Sequence, residues 1–158
     1  TRPGYSCNGY RLPNQFEWQY LARGGTTTDF YTGNMLNPST LECIVDPALE
    51  KVAWYCGNSD GPTAHPVGLL LPNRWGLYDL FGNVIETLQT LRFPAHGTPV
   101  TDPTEPDATG QRLTDAAGGN AISYPRIMHV ARRLSSDFSC VRLVRTLGPG
   151  VLPQLPPN

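Results

Sequence analysis

Apolar side chains between Phe16 and Ala22 fall at helical spacing, with Trp18 in register with Leu21 and Ala22 and with Phe16 and Tyr20 nearby. Asn14 supplies an N-cap, Glu17 three residues later can reach back as in a capping box, and Gly24-Gly25 stops the turn. The pattern predicts a helix between Asn14 and Gly24 whose apolar residues make core contacts, with Trp75 in the core as well. Val52 to Tyr55 reads as a short strand or turn, and Asn83 to Leu91 as an extended run. Val141-Arg142-Leu143-Val144-Arg145 alternates apolar with charged, the period of a strand with one face buried. Between these segments the pattern lapses. Residues 26–51 read as irregular and residues 94–111, rich in Pro, Thr, Asp and Gly, as a long surface loop. From Gly148 a proline-rich tail, 148–158, is expected to be disordered, which leaves 1–147 as one domain.

Composition sharpens this picture in two places. Sixteen Gly and sixteen Pro among 158 residues argue for many turns around little regular structure. Charged residues make up 16%, the net charge is −1, and the arginines are scattered, so no surface for tracking phosphates is predicted and nucleic acid is excluded as a partner. No apolar run is long enough to span a bilayer.

Candidate chemistry concentrates in Gly76-Leu77-Tyr78-Asp79-Leu80-Phe81-Gly82-Asn83-Val84-Ile85-Glu86. A hard cation such as calcium takes six to eight oxygens from carboxylates and carbonyls, and Asp79 and Glu86 bracket the turn at Gly82-Asn83. The same residues also suit a plain hairpin turn with both acids in solvent. Cys7, Cys43, Cys56 and Cys140 contain no CxxC pair, which argues against a zinc ribbon. Cys43 and Cys56 flank a segment long enough to turn back, so they form either a loop-closing disulfide worth about 3 kcal/mol or two buried thiols. If paired, they favour a periplasmic or extracellular address. His65, His96 and His129 lie far apart, without the spacing of a metal motif.

Gly9-Tyr10-Arg11-Leu12-Pro13, Glu17-Trp18, Tyr20-Leu21-Ala22-Arg23-Gly24-Gly25, His65-Pro66-Val67-Gly68, Trp75-Gly76-Leu77-Tyr78-Asp79, Gly82-Asn83-Val84, Gly118-Gly119 and Arg142-Leu143-Val144 occur in one order. In that order they resemble the motifs of the formylglycine-generating enzyme family, the sulfatase-modifying-factor domain. The resemblance implies an α+β, C-type-lectin-like fold: a small twisted antiparallel sheet, two helices and much irregular chain. It also implies that an N-terminal portion of the domain, with its first strand and first helix, is missing before Gly9, which would expose a sheet edge and apolar surface. His65 is then structural.

The resemblance also carries residue roles. Asp79 and Glu86, with the carbonyls of Gly82 and Val84, match the family's calcium loop, so a structural calcium is expected. The family's copper(I) thiolates fall at Ser123 and Met128, whose hydroxyl and thioether cannot replace soft sulfur anions. Cys140 is a lone thiol at the position of a family glycine. The histidine triad of the iron-dependent sulfoxide synthases is absent. Neither copper nor iron is expected, and an oxidoreductase of either type is the weaker expectation. The favoured one is a non-catalytic ligand-binding or accessory domain, as in retroelement-diversified proteins of this fold, which display C-terminal residues. Here Asn120, Ser123, Tyr124, Arg126, His129, Arg132 and Arg133 within 120–140 would meet a protein or small-molecule ligand. The missing N-terminal portion or another domain is the other expected partner.

Overall fold

Asn14 opens the first helix, α1 (Gln15–Arg23), by accepting from the amides of Phe16 and Glu17, while the Glu17 carboxylate accepts from the Asn14 amide. This reciprocal capping satisfies donors that a helix start leaves without partners. Gly24 ends α1 in the left-handed conformation, φ 54°, with its N–H directed to the carbonyls of Tyr20 and Leu21. The computed structural model describes residues 9–38, 41–89, 115–121, 123–125 and 140–145. Within them lie β1 (Tyr10–Arg11), α1, β2 (Ala53–Trp54), β3 (Phe81–Gly82), β4 (Glu86–Leu88), β5 (Asp115–Ala117), β6 (Cys140–Val141) and β7 (Val144–Arg145). The loop 94–111 and the tail 148–158 lie outside the described residues. Among the described residues, no helix is long and apolar enough to cross a membrane.

Strand pairing is mixed rather than purely antiparallel. β1 pairs antiparallel with β7, β2 parallel with β3, and β4 sits between antiparallel β5 and parallel β6. A parallel neighbour requires a long crossover, and the chain between Leu88 and Cys140 supplies the length. One helix, α1, is present among the described residues, where the expectation was two. The Val141–Arg145 strand is broken in two, and its faces are reversed. Val141 and Leu143 are exposed and Arg142 turns inward, because a buried carboxylate on β4 takes the guanidinium.

The core forms where α1, β2 and β3 meet. Trp18 and Ala22 are buried with Phe30, Leu49, Val52, Tyr55, Leu80 and Phe81. The Phe81 ring lies edge-on to Trp18 and to Phe30, with centroids 6.1 and 5.1 Å apart, the T-shaped arrangement that aromatic quadrupoles favour. Phe16 and Tyr20, expected inside, are on the outer face of α1. Trp75 is half-buried against Tyr20, centroids 4.9 Å apart, instead of lying in the core. Asn73 fastens the loop before β3 to the helix end, its side chain donating to Leu21 O and accepting from the amides of Trp75 and Leu77.

Candidate functional site

The loop from Gly76 to Glu86 walls a cavity of about 560 Å³, which Val67, Gly68, Cys140, Val141 and Arg142 complete. Asp79, Gly82, Val84 and Glu86 all line it, so four residues expected to share one site are brought together. The loop is strained where it turns. Asp79 and Asn83 adopt φ of 54° and 60°, and Gly82 between them 69°, a region that residues with a Cβ seldom occupy.

Hydrogen bonds hold this conformation. The buried Asn83 amide donates to His65 O and accepts from His65 N, while its backbone N–H donates to Trp54 O. His65 stacks on Trp54, with centroids 4.1 Å apart, and its Nε2 contacts Ser59 Oγ at 2.8 Å, so its role is architectural.

The two acids differ. Glu86, with a side chain 4% exposed, accepts from Trp18 Nε1 at 2.7 Å and from Arg142 Nε and Nη2. Burial opposes the Arg142 charge, but the hydrogen bonds and the charge of Glu86 outweigh it and hold the guanidinium above its ordinary value. Arg142 also donates to the carbonyls of Tyr78 and Asp79, so it stitches β4, the loop and the C-terminal strands together. Asp79 Oδ2 accepts from the Gly68 amide at 2.7 Å, whereas its Oδ1 is buried with no hydrogen-bond partner. An orphaned carboxylate oxygen in a cavity lined by Gly82 and Val84 fits a hard cation. Glu86 fits less fully, because its oxygens already serve Trp18 and Arg142. Arg142 is the residue that sequence reasoning missed: alternation in its strand placed it outside.

Next to the cavity, the segment after β5 forms a tight turn. Gly118 O accepts from Gly82 N, and Ala121 N donates to Asn83 O. Ser123 Oγ donates to Asn120 Oδ1 and accepts from Asn120 N, while Ser123 N donates to Asn120 O. Asn120 and Ser123 therefore close the turn on which Tyr124 is displayed, 39% exposed, before the buried Pro125. Arg126, His129, Arg132 and Arg133 lie outside the described residues, as does Met128.

Cys43 and Cys56 are joined in a disulfide, their Cα atoms 5.1 Å apart, which is compatible with an oxidising compartment. Cys140 is a free thiol on an exposed residue, its Sγ 3.8 Å from Val84 O. Desolvation of the sulfur, and then the charge of Glu86, raise its pKa above the ordinary thiol value, which disfavours the thiolate.

The family of the sulfatase-modifying factor enzyme 1-like domain matches residues 4–146. A formylglycine-generating enzyme of Mycobacterium tuberculosis is 35% identical over 95 residues, covering 56% of this chain and 29% of that protein. The mouse protein named inactive C-alpha-formylglycine-generating enzyme 2 is 35% identical over 92 residues, covering 55% of this chain and 28% of its own length. Among solved structures, Treponema denticola variable protein 1 superposes with a TM-score of 0.65 at 28% identity, covering 80% of this chain and 42% of that one. The chain thus spans under half the length of these relatives. Its fold is the C-type-lectin-like α+β fold of this group.

Proposed function

The chain belongs to the sulfatase-modifying factor enzyme 1-like family, and within it we propose a non-catalytic ligand-binding or accessory domain. The observation that carries this reading is the turn that Asn120 and Ser123 close. Where a copper-binding thiolate would stand, Ser123 uses its hydroxyl to close a turn with Asn120 and to present Tyr124 to solvent. A hydroxyl has none of the softness that copper(I) selects, and Cys140, whose thiolate is disfavoured by desolvation and by the charge of Glu86, is the one free thiol among the described residues. Relatives named as an inactive enzyme and as a variable protein support the same reading. The ligand surface would extend from Asn120, Ser123 and Tyr124 to Arg126, His129, Arg132 and Arg133. Its partner is a protein or small molecule, met in the periplasm or outside the cell. A relative named formylglycine-generating enzyme favours thiol oxidation as the second reading. Copper(I) titration separates the two: binding no tighter than a generic thiol supports the first, and stoichiometric copper on Cys140 with turnover of a cysteine peptide supports the second.

Calcium in this reading is structural. Asp79, through its unpartnered oxygen, and the carbonyls of Gly82 and Val84 would hold it, with Glu86 contributing while bound to Arg142. The ion would neutralise a buried carboxylate and stiffen the loop that supports the 118–121 backbone. Calcium should raise Tm and chelation should reverse the shift, because an ion that binds the folded state stabilises it by mass action. An Asp79→Asn variant should lose most of that shift. Melting that ignores millimolar calcium would remove calcium from the proposal.

A further inference from the structure

The space beside Asp79 is larger than one ion needs. A cavity of about 560 Å³ falls within the roughly 300 to 1,000 Å³ that small-molecule pockets span, and Val67, Leu77, Val84 and Val141 give it apolar walls. We infer that in the ion-free chain this cavity binds a small organic amine, an ammonium group on an apolar body, with the ammonium at Asp79.

Charge selects the ammonium. Among the described residues that line the cavity, the charged side chains are Asp79, Glu86 and Arg142, two carboxylates against one guanidinium. Glu86 and Arg142 answer each other in a two-pronged pair, so the charge left over is that of Asp79. Its Oδ2 takes the Gly68 amide, while Oδ1, buried without a partner, is an acceptor that a donor on a ligand would satisfy. A ligand carboxylate would face this charge unpaired, and a hydroxyl would bring a donor without a charge. The Tyr78 ring, on the residue before Asp79 in the same wall, adds an aromatic group, the apolar surface that best tolerates a cation.

The rest of the wall selects the apolar body. Asn83 gives its side-chain amide to the backbone of His65. Desolvation first, and then the charge of Glu86, raise the Cys140 pKa and disfavour its thiolate, as a wall short of water does. Val67 and Val141 stay 77% and 63% exposed although they line the cavity, so the fold leaves them in water and an apolar ligand body would cover them. Tyr124 is not among the lining residues, which makes this site distinct from the recognition surface proposed above. It shares Asp79 Oδ1 with the proposed calcium, and the two cations would exclude one another there.

Chemical-shift titration of the isotope-labelled chain in the presence of chelator tests the amine apart from calcium. Phenethylamine, phenethyl alcohol and hydrocinnamate carry an ammonium, a hydroxyl and a carboxylate on the same ring and a short chain. The amine should shift the amides of Gly68, Gly82 and Cys140 saturably and bind at least about tenfold more tightly than the alcohol, and the acid should leave those amides in place. Methylamine, which has no body for the apolar walls, should bind at least about tenfold more weakly than phenethylamine. Asp79→Asn keeps an oxygen for the Gly68 amide and suits the positive φ at this position, so the chain should fold and lose the preference for amine over alcohol. Alcohol or acid binding as tightly as the amine overturns the charge assignment, and methylamine binding as tightly as phenethylamine overturns the apolar body. No shift with phenethylamine, shifts centred on Tyr124, or a preference that survives in the Asp79→Asn chain refutes the site. None of these outcomes bears on calcium, whose own test is the change in Tm.

Discussion

At the start of α1, Arg11 grips Glu17 across 6 positions of sequence; at the cavity, Arg142 grips Glu86 across 56. Both pairs are two-pronged. Their side chains are 12% and 27% exposed in the first and 24% and 4% exposed in the second. The first pair decorates a helix cap that Asn14 and Glu17 already close, so solvent and local chain share its load. The second pair carries a charge inside the fold, with Trp18 Nε1 as a further donor, and joins three distant segments. The same chemistry is an accessory in one place and a strut in the other, because a carboxylate that has lost its water depends on every partner it keeps.

The sharpest way to break this contrast is at Trp18, which serves both the core and Glu86. Trp18→Ala should lower unfolding free energy by about 3 to 5 kcal/mol, since it empties a buried indole site and removes a donor to the buried carboxylate. Trp18→Phe, which keeps most of the ring, should cost about 1 to 3 kcal/mol for the lost N–H bond. Urea unfolding of the two variants would separate packing from hydrogen bonding. A Phe variant as stable as the parent would mean that Glu86 does not need the indole.

Arg142→Leu comes next, with an expected loss of about 3 kcal/mol, at the lower end for a broken buried pair because the guanidinium is partly open to solvent. The matching change at the cap, Arg11→Leu, should cost about 1 kcal/mol, because Glu17 keeps some contact with water and still accepts from the Asn14 amide. Equal losses in the two variants would erase the distinction. Raising salt should weaken the cap pair more than the cavity pair, because screening acts on charges that face water and the Glu17 carboxylate does so while the Glu86 carboxylate does not.

Asn14→Ala should cost about 1 kcal/mol, the value of an N-cap whose side chain serves two amides. Circular dichroism should show the loss as fraying of α1, with the near-ultraviolet signal of the core retained. Full loss of tertiary signal would show that the cap, too, is a strut.

The two regions also differ in how far sequence exposes them. Asn14, Glu17 and Gly24 act within one helix on neighbours a few residues away, so their types and spacing specify the cap. The loop from Gly76 to Glu86 was legible as a cluster of oxygens, and those residues do line one cavity. What joins Glu86 to Trp18 and Arg142 was not, since those contacts bridge 68 and 56 positions and no local period encodes them. Alternation in 141–145 even pointed the wrong way: a one-residue choice of face exchanges inside for outside, and here a buried charge, not apolar burial, sets the face. Trp75 and Tyr20 misled for a related reason. Their size suggested core, but they pack on each other at the surface of α1.

The smallest effect on stability is expected at Tyr124, and there smallness itself is informative. The side chain projects from a turn whose bonds are made by Asn120 and Ser123 and by the backbone of Gly82, Asn83 and Cys56, none of which involve the phenol. Tyr124→Ala should therefore shift unfolding by no more than about 0.5 kcal/mol, as surface changes away from such features do. If the turn is a recognition surface, the same variant should lose about tenfold or more in affinity for a ligand selected on the oxidised chain, because exposed aromatics dominate such contacts. Ser123→Ala should lower both, since it opens the turn and also disturbs what the turn displays. A Tyr124→Ala chain that binds the selected ligand as tightly as the parent would place recognition elsewhere. One that unfolds while its folded fraction keeps full affinity would make Tyr124 a packing residue and remove the ground for a binding face at this turn.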